Sequence, residues 1–482
     1  MRMSRSKIIG RDAECKRLSR CLEADTAQLV VVYGRRRVGK TFIINEFFDG
    51  RFDFKVTGAY NETKETQLRY FAMELSRQAG REIPQPKDWI DAFELLRRHL
   101  AGLDPNEKHV VFLDEMPWMD TMRSGFLPAF EWFWNDWGCA QNNLILIVCG
   151  SATSWMVKNI DENKGGLFNR KTCRLNLQPF TLHEVQQYLK HRKIEWSERD
   201  IAESYMIMGG FPYYYSLLDP ELSYNANIDN LFFRKRAELW DEFDHLYKTL
   251  FTNSELYIRT VELLSKKNIG LSRLEIAKQM GIPQNGALSK ILTDLTDSGF
   301  VRFNSFYGKK SKEKVYQLAD YYTMFYFRFL KDKSGNDEHY WSNTFDNPSR
   351  RVWAGLTFEQ LCKDHIPQIK KKLGIAGVLS QESSWLGAVD NDSKKQGAQI
   401  DLIIDRRDQV VNICEIKFSL NEFQIDKDYD EKLRNKITVF REATSCKKSI
   451  QLTMLTTYGV IKNKYSGIVT NQVLLEDLFE NL

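Results

Sequence analysis

The sequence predicts a multidomain α/β protein, on three observations. At 482 residues the chain is too long for one ordinary core, so three or four domains are expected. Short apolar runs that end in glycine or carboxylate alternate with segments of helical spacing. One of those runs, Gln28–Tyr33, leads into GRRRVGKT, Gly34 to Thr41, and then into the helically spaced Phe42–Phe48.

Strand, glycine loop and helix form the context in which G-x-x-x-x-G-K-[ST] holds phosphate. Gly34 and Gly39 let the backbone curl so that the N–H groups of Arg35, Arg36, Arg37 and Val38 face inward. Lys40 is then placed to bridge the β- and γ-phosphates of ATP, and Thr41 to put its hydroxyl on Mg²⁺, with Phe42 the last of the candidate nucleotide-binding residues of the loop. A second buried strand, His109–Glu115, ends in two carboxylates. Asp114 is the expected Mg²⁺ partner, and Glu115 the expected group for polarising an attacking water. A third apolar run, Leu144–Cys149, ends in Gly150–Ser151, where a polar side chain can sense the γ-phosphate or simply make a turn.

Composition narrows the class. Hydrophobic residues at 43% and charged residues at 28% are those of a globular protein. The net charge of +5 is small for this length and permits a nucleic-acid partner without arguing for one. No apolar run approaches the roughly 18 residues that span a bilayer, and Met1–Gly10 has no apolar core of a signal peptide. The eight cysteines form no C-x-x-C pair. Neither a disulfide framework nor a zinc site is indicated, and a reducing cytoplasm is the expected setting.

Taken together, GRRRVGKT, Gly10-Arg11 followed by Glu14, Leu113-Asp114-Glu115, Cys149-Gly150-Ser151, Gly166-Leu167-Phe168-Asn169-Arg170 and Gly209-Gly210-Phe211-Pro212 resemble the archaeal-type ATPases, P-loop proteins of the AAA+/STAND kind. The resemblance covers about the first half of the chain. It implies a three-layer α/β/α ATPase core over residues 1–180 and a helical lid over 181–245. It also implies that Ser151 is the sensor and that Arg170 reaches a nucleotide, in its own subunit or as a finger into a neighbour of a homo-oligomer. A plain surface arginine is the other reading of Arg170.

Residues 246–335 read as a winged helix-turn-helix. Ile258–Leu264 has helical spacing, Ser272 caps a second helix that Gly281-Ile282-Pro283 ends, and Asn285–Ser298 supplies a third. Val301–Phe303 and Val315–Leu318 pair as a hairpin whose tip carries Lys309, Lys310, Lys312 and Lys314. With Lys290 these lysines suit a DNA backbone; Asp294 and Asp297 oppose it, and a protein-packing module fits as well. The aromatic runs Phe130–Trp137 and Tyr321–Leu330 are either stacking surfaces for bases or buried helices.

Lys331–Arg351 reads as a polar connector. Beyond it, a helix Trp353–Cys362 contains Glu359, and the strands Ala398–Ile404 and Val410–Phe418 contain Asp401, Glu415 and Lys417. Alternation puts Glu415 and Lys417 on one face. Carboxylates in apolar strands need a cation or ion pair. Mg²⁺ on Glu359, Asp401 and Glu415 answers that need, with Lys417 orienting water; ion pairs without activity answer it too. The constellation resembles the PD-(D/E)XK nucleases over about residues 340–482, with Ile400 where that motif has proline. This implies a restriction-endonuclease-like fold. The expected function is an ATP-hydrolysing protein acting on DNA with a Mg²⁺-dependent nuclease domain. The alternative is a nucleotide-driven assembly or regulatory switch whose C-terminal domain is a non-catalytic binding module.

Overall fold

The computed structural model describes residues 8–162, 165–167, 169–251, 253–309, 314–332, 337–387 and 398–482. Phe168, Lys310 and Lys312 lie outside the described residues, as do the first seven. The chain divides into two compact units. One comprises residues 1–179 with Phe211–Tyr213 and Leu246–Thr252; the other holds the remainder.

The first unit is built on five parallel strands: β1 (Gln28–Tyr33), β2 (Phe54–Thr57), β3 (His109–Asp114), β4 (Leu144–Gly150) and β5 (Cys173–Asn176). Their order is β2-β3-β4-β1-β5. Strands β1, β3 and β4 are buried along their whole length. A parallel sheet covered on both faces has no wet side, so its strands read as continuous apolar runs. All of the run Phe130–Trp137 except Trp137 lies in the helix Phe126–Asp136, and Phe130, Phe133 and Trp134 are buried in the core beside this sheet, while Trp132 is exposed. Packing, rather than base stacking, accounts for the buried rings.

The second unit contains a helical region and two sheets. Helices Ser254–Ser265, Arg273–Met280 and Gly286–Asp297 precede the antiparallel hairpin β6 (Val301–Asn304) and β7 (Val315–Leu318). Ser272 and Glu275 form a capping box on the middle helix, and Gly281 closes it in the left-handed region. The mixed sheet runs β12-β11-β10-β9-β8, from Asn471–Leu474, Ser449–Thr456, Val410–Lys417, Gln399–Arg406 and Ser380–Leu386. Strands β8, β9 and β10 are antiparallel neighbours, whereas β10, β11 and β12 are parallel. The helix Lys427–Thr444 makes the crossover from β10 to β11.

One expectation is corrected. The segment Lys331–Arg351 is no plain connector, because it contains the helix Tyr340–Asn343 and opens the helix Pro348–Asp364. Trp341 is fully buried, and the buried Asp229 accepts bonds from the N–H groups of Trp341 and Ser342 at 2.8 and 3.1 Å. The polar sequence hid a segment anchored by one distant carboxylate. Tyr321–Leu330 is likewise packed, with Tyr321, Tyr322, Phe325 and Phe329 buried.

Gly210 is held by contact with the backbone of Phe180. A Cβ at this position would lie 1.9 Å from the Phe180 carbonyl oxygen. Gly210→Ala is expected to destabilise this unit by roughly 1–3 kcal/mol through overpacking, seen as a lower urea midpoint by circular dichroism. Gly286→Ala, at a glycine with open space around its Cβ position, is expected to shift stability by under about 0.5 kcal/mol.

Candidate functional site

The loop Gly34–Gly39 leaves the end of β1 and enters the helix Lys40–Phe47. Gly34 has φ 145°, and a Cβ there would lie 2.3 Å from the carbonyl oxygen of Leu177. Only glycine fits that approach. Arg37 and Gly39, at φ 76° and 88°, turn the loop back on itself. The buried Arg11 donates to the carbonyl oxygens of Val38 at 3.2 Å and Gln178 at 2.8 Å, so the Gly10-Arg11 motif braces the loop. Lys40 is buried, and its ammonium donates to the Gly34 and Arg35 carbonyl oxygens at 2.9 and 3.1 Å. The guanidinium of Arg35 lies 4.6 Å from the Phe211 ring, and that of Arg37 lies 3.7 Å from the Tyr213 ring. Arg36 is half-buried, and Phe42 is half exposed at the start of the helix.

The acidic pair sits where β3 ends. The Thr41 hydroxyl donates to Asp114 Oδ2 at 2.9 Å. Glu115 takes a left-handed conformation, φ 46° and ψ 46°, uncommon for a residue with a side chain. Its carboxylate accepts the Ser151 N–H at 3.0 Å and the Ser151 hydroxyl at 2.5 Å. Thr41, Asp114, Glu115 and Ser151 therefore converge from three neighbouring strand ends. Arg170 is exposed, and its guanidinium has no bonding partner among the described residues.

A second cluster lies in the mixed sheet. The ladder that pairs Cys414 with Leu402 brings Asp401 level with Glu415. Glu415 is buried, yet its carboxylate is 3.0 Å from the Lys417 ammonium and 2.7 Å from that of Lys436, and accepts the Tyr429 hydroxyl at 2.5 Å. Burial pushes Glu415 up, but Lys417 and Lys436 outweigh it and hold the group below the usual carboxylate range. For Glu359 the balance reverses. Burial, reinforced by Asp401 and then Glu415 against Lys363 and Lys417, pushes it up to about 7. Burial also lowers Lys363, one helical turn beyond Glu359.

Glu359, Asp401, Glu415 and Lys417 thus influence one another. Among the described residues, however, no group of three or more His, Cys, Asp or Glu is disposed to hold a metal. The oxygens of Glu415 are taken by Lys417, Lys436 and Tyr429, and Asp401 accepts the Gln399 amide at 2.6 Å. Sequence reasoning missed Tyr429, Lys436 and Lys363. The first two sit on a charged helix that reads as a solvated face, and no local signal shows them turned toward β10.

Residues 8–218 match the family described as an ATPase domain predominantly from Archaea. That segment is an archaeal-type P-loop ATPase domain. An uncharacterized protein of Methanocaldococcus jannaschii is 23% identical over 432 residues, covering 89% of this chain and 91% of that protein. Among solved structures, the Walker-type ATPase of Pyrococcus abyssi is similar at 17% identity and TM-score 0.49, over 68% of this chain and 99% of that one. The Aeropyrum pernix ORC2 protein follows at 15% identity and TM-score 0.40, over 67% and 95%. No helix among the described residues is long and apolar enough to cross a membrane.

Glu359 gives the second cluster a pH signature. The folded state holds its proton up to about 7, against an ordinary 4.5. Its contribution to stability is therefore complete below 4.5 and is lost as pH rises through 7. In EDTA, wild type is expected to lose up to about 3 kcal/mol across this window relative to Glu359→Gln, read from urea midpoints at several pH values.

Proposed function

We propose that the chain binds ATP with Mg²⁺, hydrolyses it, and couples the nucleotide cycle to work on DNA. The observation that carries the ATPase half is the convergence of Lys40, Thr41, Asp114, Glu115 and Ser151 at one end of the parallel sheet. The residues fit the nucleotide. The Lys40 ammonium lies against loop carbonyls that phosphate oxygens can replace, and Gly34 to Phe42 supply the cradle at a helix N-terminus. Thr41 and Asp114 offer paired oxygens for Mg²⁺. Bound Mg²⁺ would neutralise charge on the phosphates. Glu115, held by Ser151, orients the attacking water and takes up its proton. Release of Glu115 by Ser151 lets the serine report on the γ-phosphate. Arg170, exposed and unpaired among the described residues, serves as a finger toward a nucleotide, in cis or across a homo-oligomer.

The remaining assignments are part of the same reading. Residues 181–245 act as the helical lid, and 246–335 as a winged helix whose three helices and hairpin support contact with DNA through Lys290, Lys309 and Lys314. Residues 340–482 act as the nuclease domain, in which Glu359, Asp401 and Glu415 would hold Mg²⁺ and Lys417 would orient the water. The mutual influence of these carboxylates supports that role, because a divalent cation would offset the burial and the carboxylate repulsion that together raise Glu359.

A second reading has its own observation. Glu415 is already neutralised by two lysines and a tyrosine, as in a non-catalytic module. In that case ATP occupancy drives assembly or partner binding.

The tests separate these readings. Lys40→Ala is expected to weaken ATP binding at least about tenfold, by calorimetry. Glu115→Gln is expected to keep binding and lose about 100-fold or more in hydrolysis. Cleavage of linear, circular and single-stranded DNA in Mg²⁺ or Mn²⁺ should vanish in Glu415→Ala. Absence of cleavage by wild type, with hydrolysis intact, would move the conclusion to the switch.

A further inference from the structure

Strand β10 runs past Lys417 into Phe418 and the loop Ser419–Gln424, which walls an open cavity of about 350 Å³. The helix Glu198–Met208, Phe345 and the first turns of the helix Pro348–Asp364 supply the other walls. The cavity is unbalanced in charge. Buried Glu203 is shared by Arg199 at 2.7 Å and Arg350 at 2.9 Å, two cations on one anion. Arg350 is fixed by further bonds to the carbonyl oxygen of Trp341 and to Asn225. Exposed Arg351 donates to the Asp346 carbonyl oxygen at 2.8 Å and pairs with no carboxylate among the described residues. Glu422 is the other acidic residue of the lining.

The cavity also has an aromatic wall. The Arg199 guanidinium lies 5.5 Å from the Phe345 ring and 5.6 Å from that of Phe418. Phe345 remains 42% exposed. Among the described residues the side-chain amides of Asn421 and Gln424 have no hydrogen-bond partner. Surplus positive charge, a partly exposed ring and free amides are the three elements that recognise a nucleotide: phosphate on arginine, base on ring, base edge on amide.

We propose that this cavity binds one unpaired nucleotide of single-stranded DNA, with its phosphate on Arg199 and Arg351, its base against Phe345 and its edge toward Asn421 and Gln424. The volume lies near the lower end of the ~300–1,000 Å³ that small-ligand pockets occupy. It admits one nucleotide, whereas a duplex keeps its bases stacked within the helix. Placement of the strand rests on the nuclease reading, since Lys417 immediately precedes Phe418. The pocket would hold the nucleotide next to the reacting one.

The test uses the full-length protein in EDTA, with fluorescence anisotropy of a short labelled single strand and of its duplex. Phe345→Ala and Arg351→Gln alter exposed positions, and circular dichroism checks that each stays folded. Each is expected to weaken single-strand binding about tenfold and to change duplex binding less than about twofold. Single-strand binding unchanged in both variants would overturn the proposal. So would an equal loss on duplex, or deoxyadenosine monophosphate binding as tightly as the strand. Cleavage in Mg²⁺ or Mn²⁺ is scored separately. The expected binding pattern without any cleavage keeps the pocket and removes the nuclease, whereas cleavage with binding unaffected by either substitution does the reverse.

Discussion

The bond from Thr41 to Asp114 is the interaction on which the first unit turns. It joins the first turn of the helix that follows the β1 loop to the end of β3, with β4 lying between β1 and β3 in the sheet. For that contact to exist, three strands must end level, and their buried lengths must be apolar on both faces. The polar side chains of the site then gather at the carboxyl ends, where open α/β sheets place their ligands. Glu115 pays for its position with a left-handed backbone, accommodated by Gly58, where a Cβ would lie 2.6 Å from the Glu115 carbonyl oxygen. Its carboxylate is in turn fixed by Ser151. The gathering of Thr41, Asp114, Glu115 and Ser151 at this end of the sheet is thus a consequence of strand order as much as of the loop motif.

The second unit meets a different constraint, since charge enters the sheet itself. An isolated carboxylate in β10 would be costly. Lys417 from the same strand, with Lys436 and Tyr429 from the crossover helix, removes that cost for Glu415. The compensation is uneven. Glu359 is left with burial and two carboxylate neighbours, so its proton is retained into the neutral range. It also lines an open cavity of about 500 Å³ together with Lys363. A titratable group perturbed by burial and by specific charges at a cavity wall is where chemistry or binding is to be sought. The same domain thus contains one carboxylate satisfied by partners and one that a cation would satisfy further.

Much of this was legible from local pattern. The glycine loop, the apolar runs of β1, β3 and β4, the capped helices before β6 and the E-x-K strand all announce themselves, because each depends on residues adjacent in the chain. Trp341, Tyr429 and Lys436 did not. Asp229 anchors Trp341 from more than a hundred positions away, and Lys436 reaches Glu415 only because a helix crosses over between parallel strands.

By itself the sequence determined the phosphate-type loop, the acidic strand ends and the presence of Asp401, Glu415 and Lys417 in apolar strands, since backbone conformation and strand alternation are set within a few residues. Tertiary structure decided the partners. It brought Ser151 to Glu115, Arg35 and Arg37 to Phe211 and Tyr213, Lys436 to Glu415, and Asp401 to Glu359. Those encounters follow from sheet order and helix crossovers, and the free energy of a charge depends on what finally stands beside it.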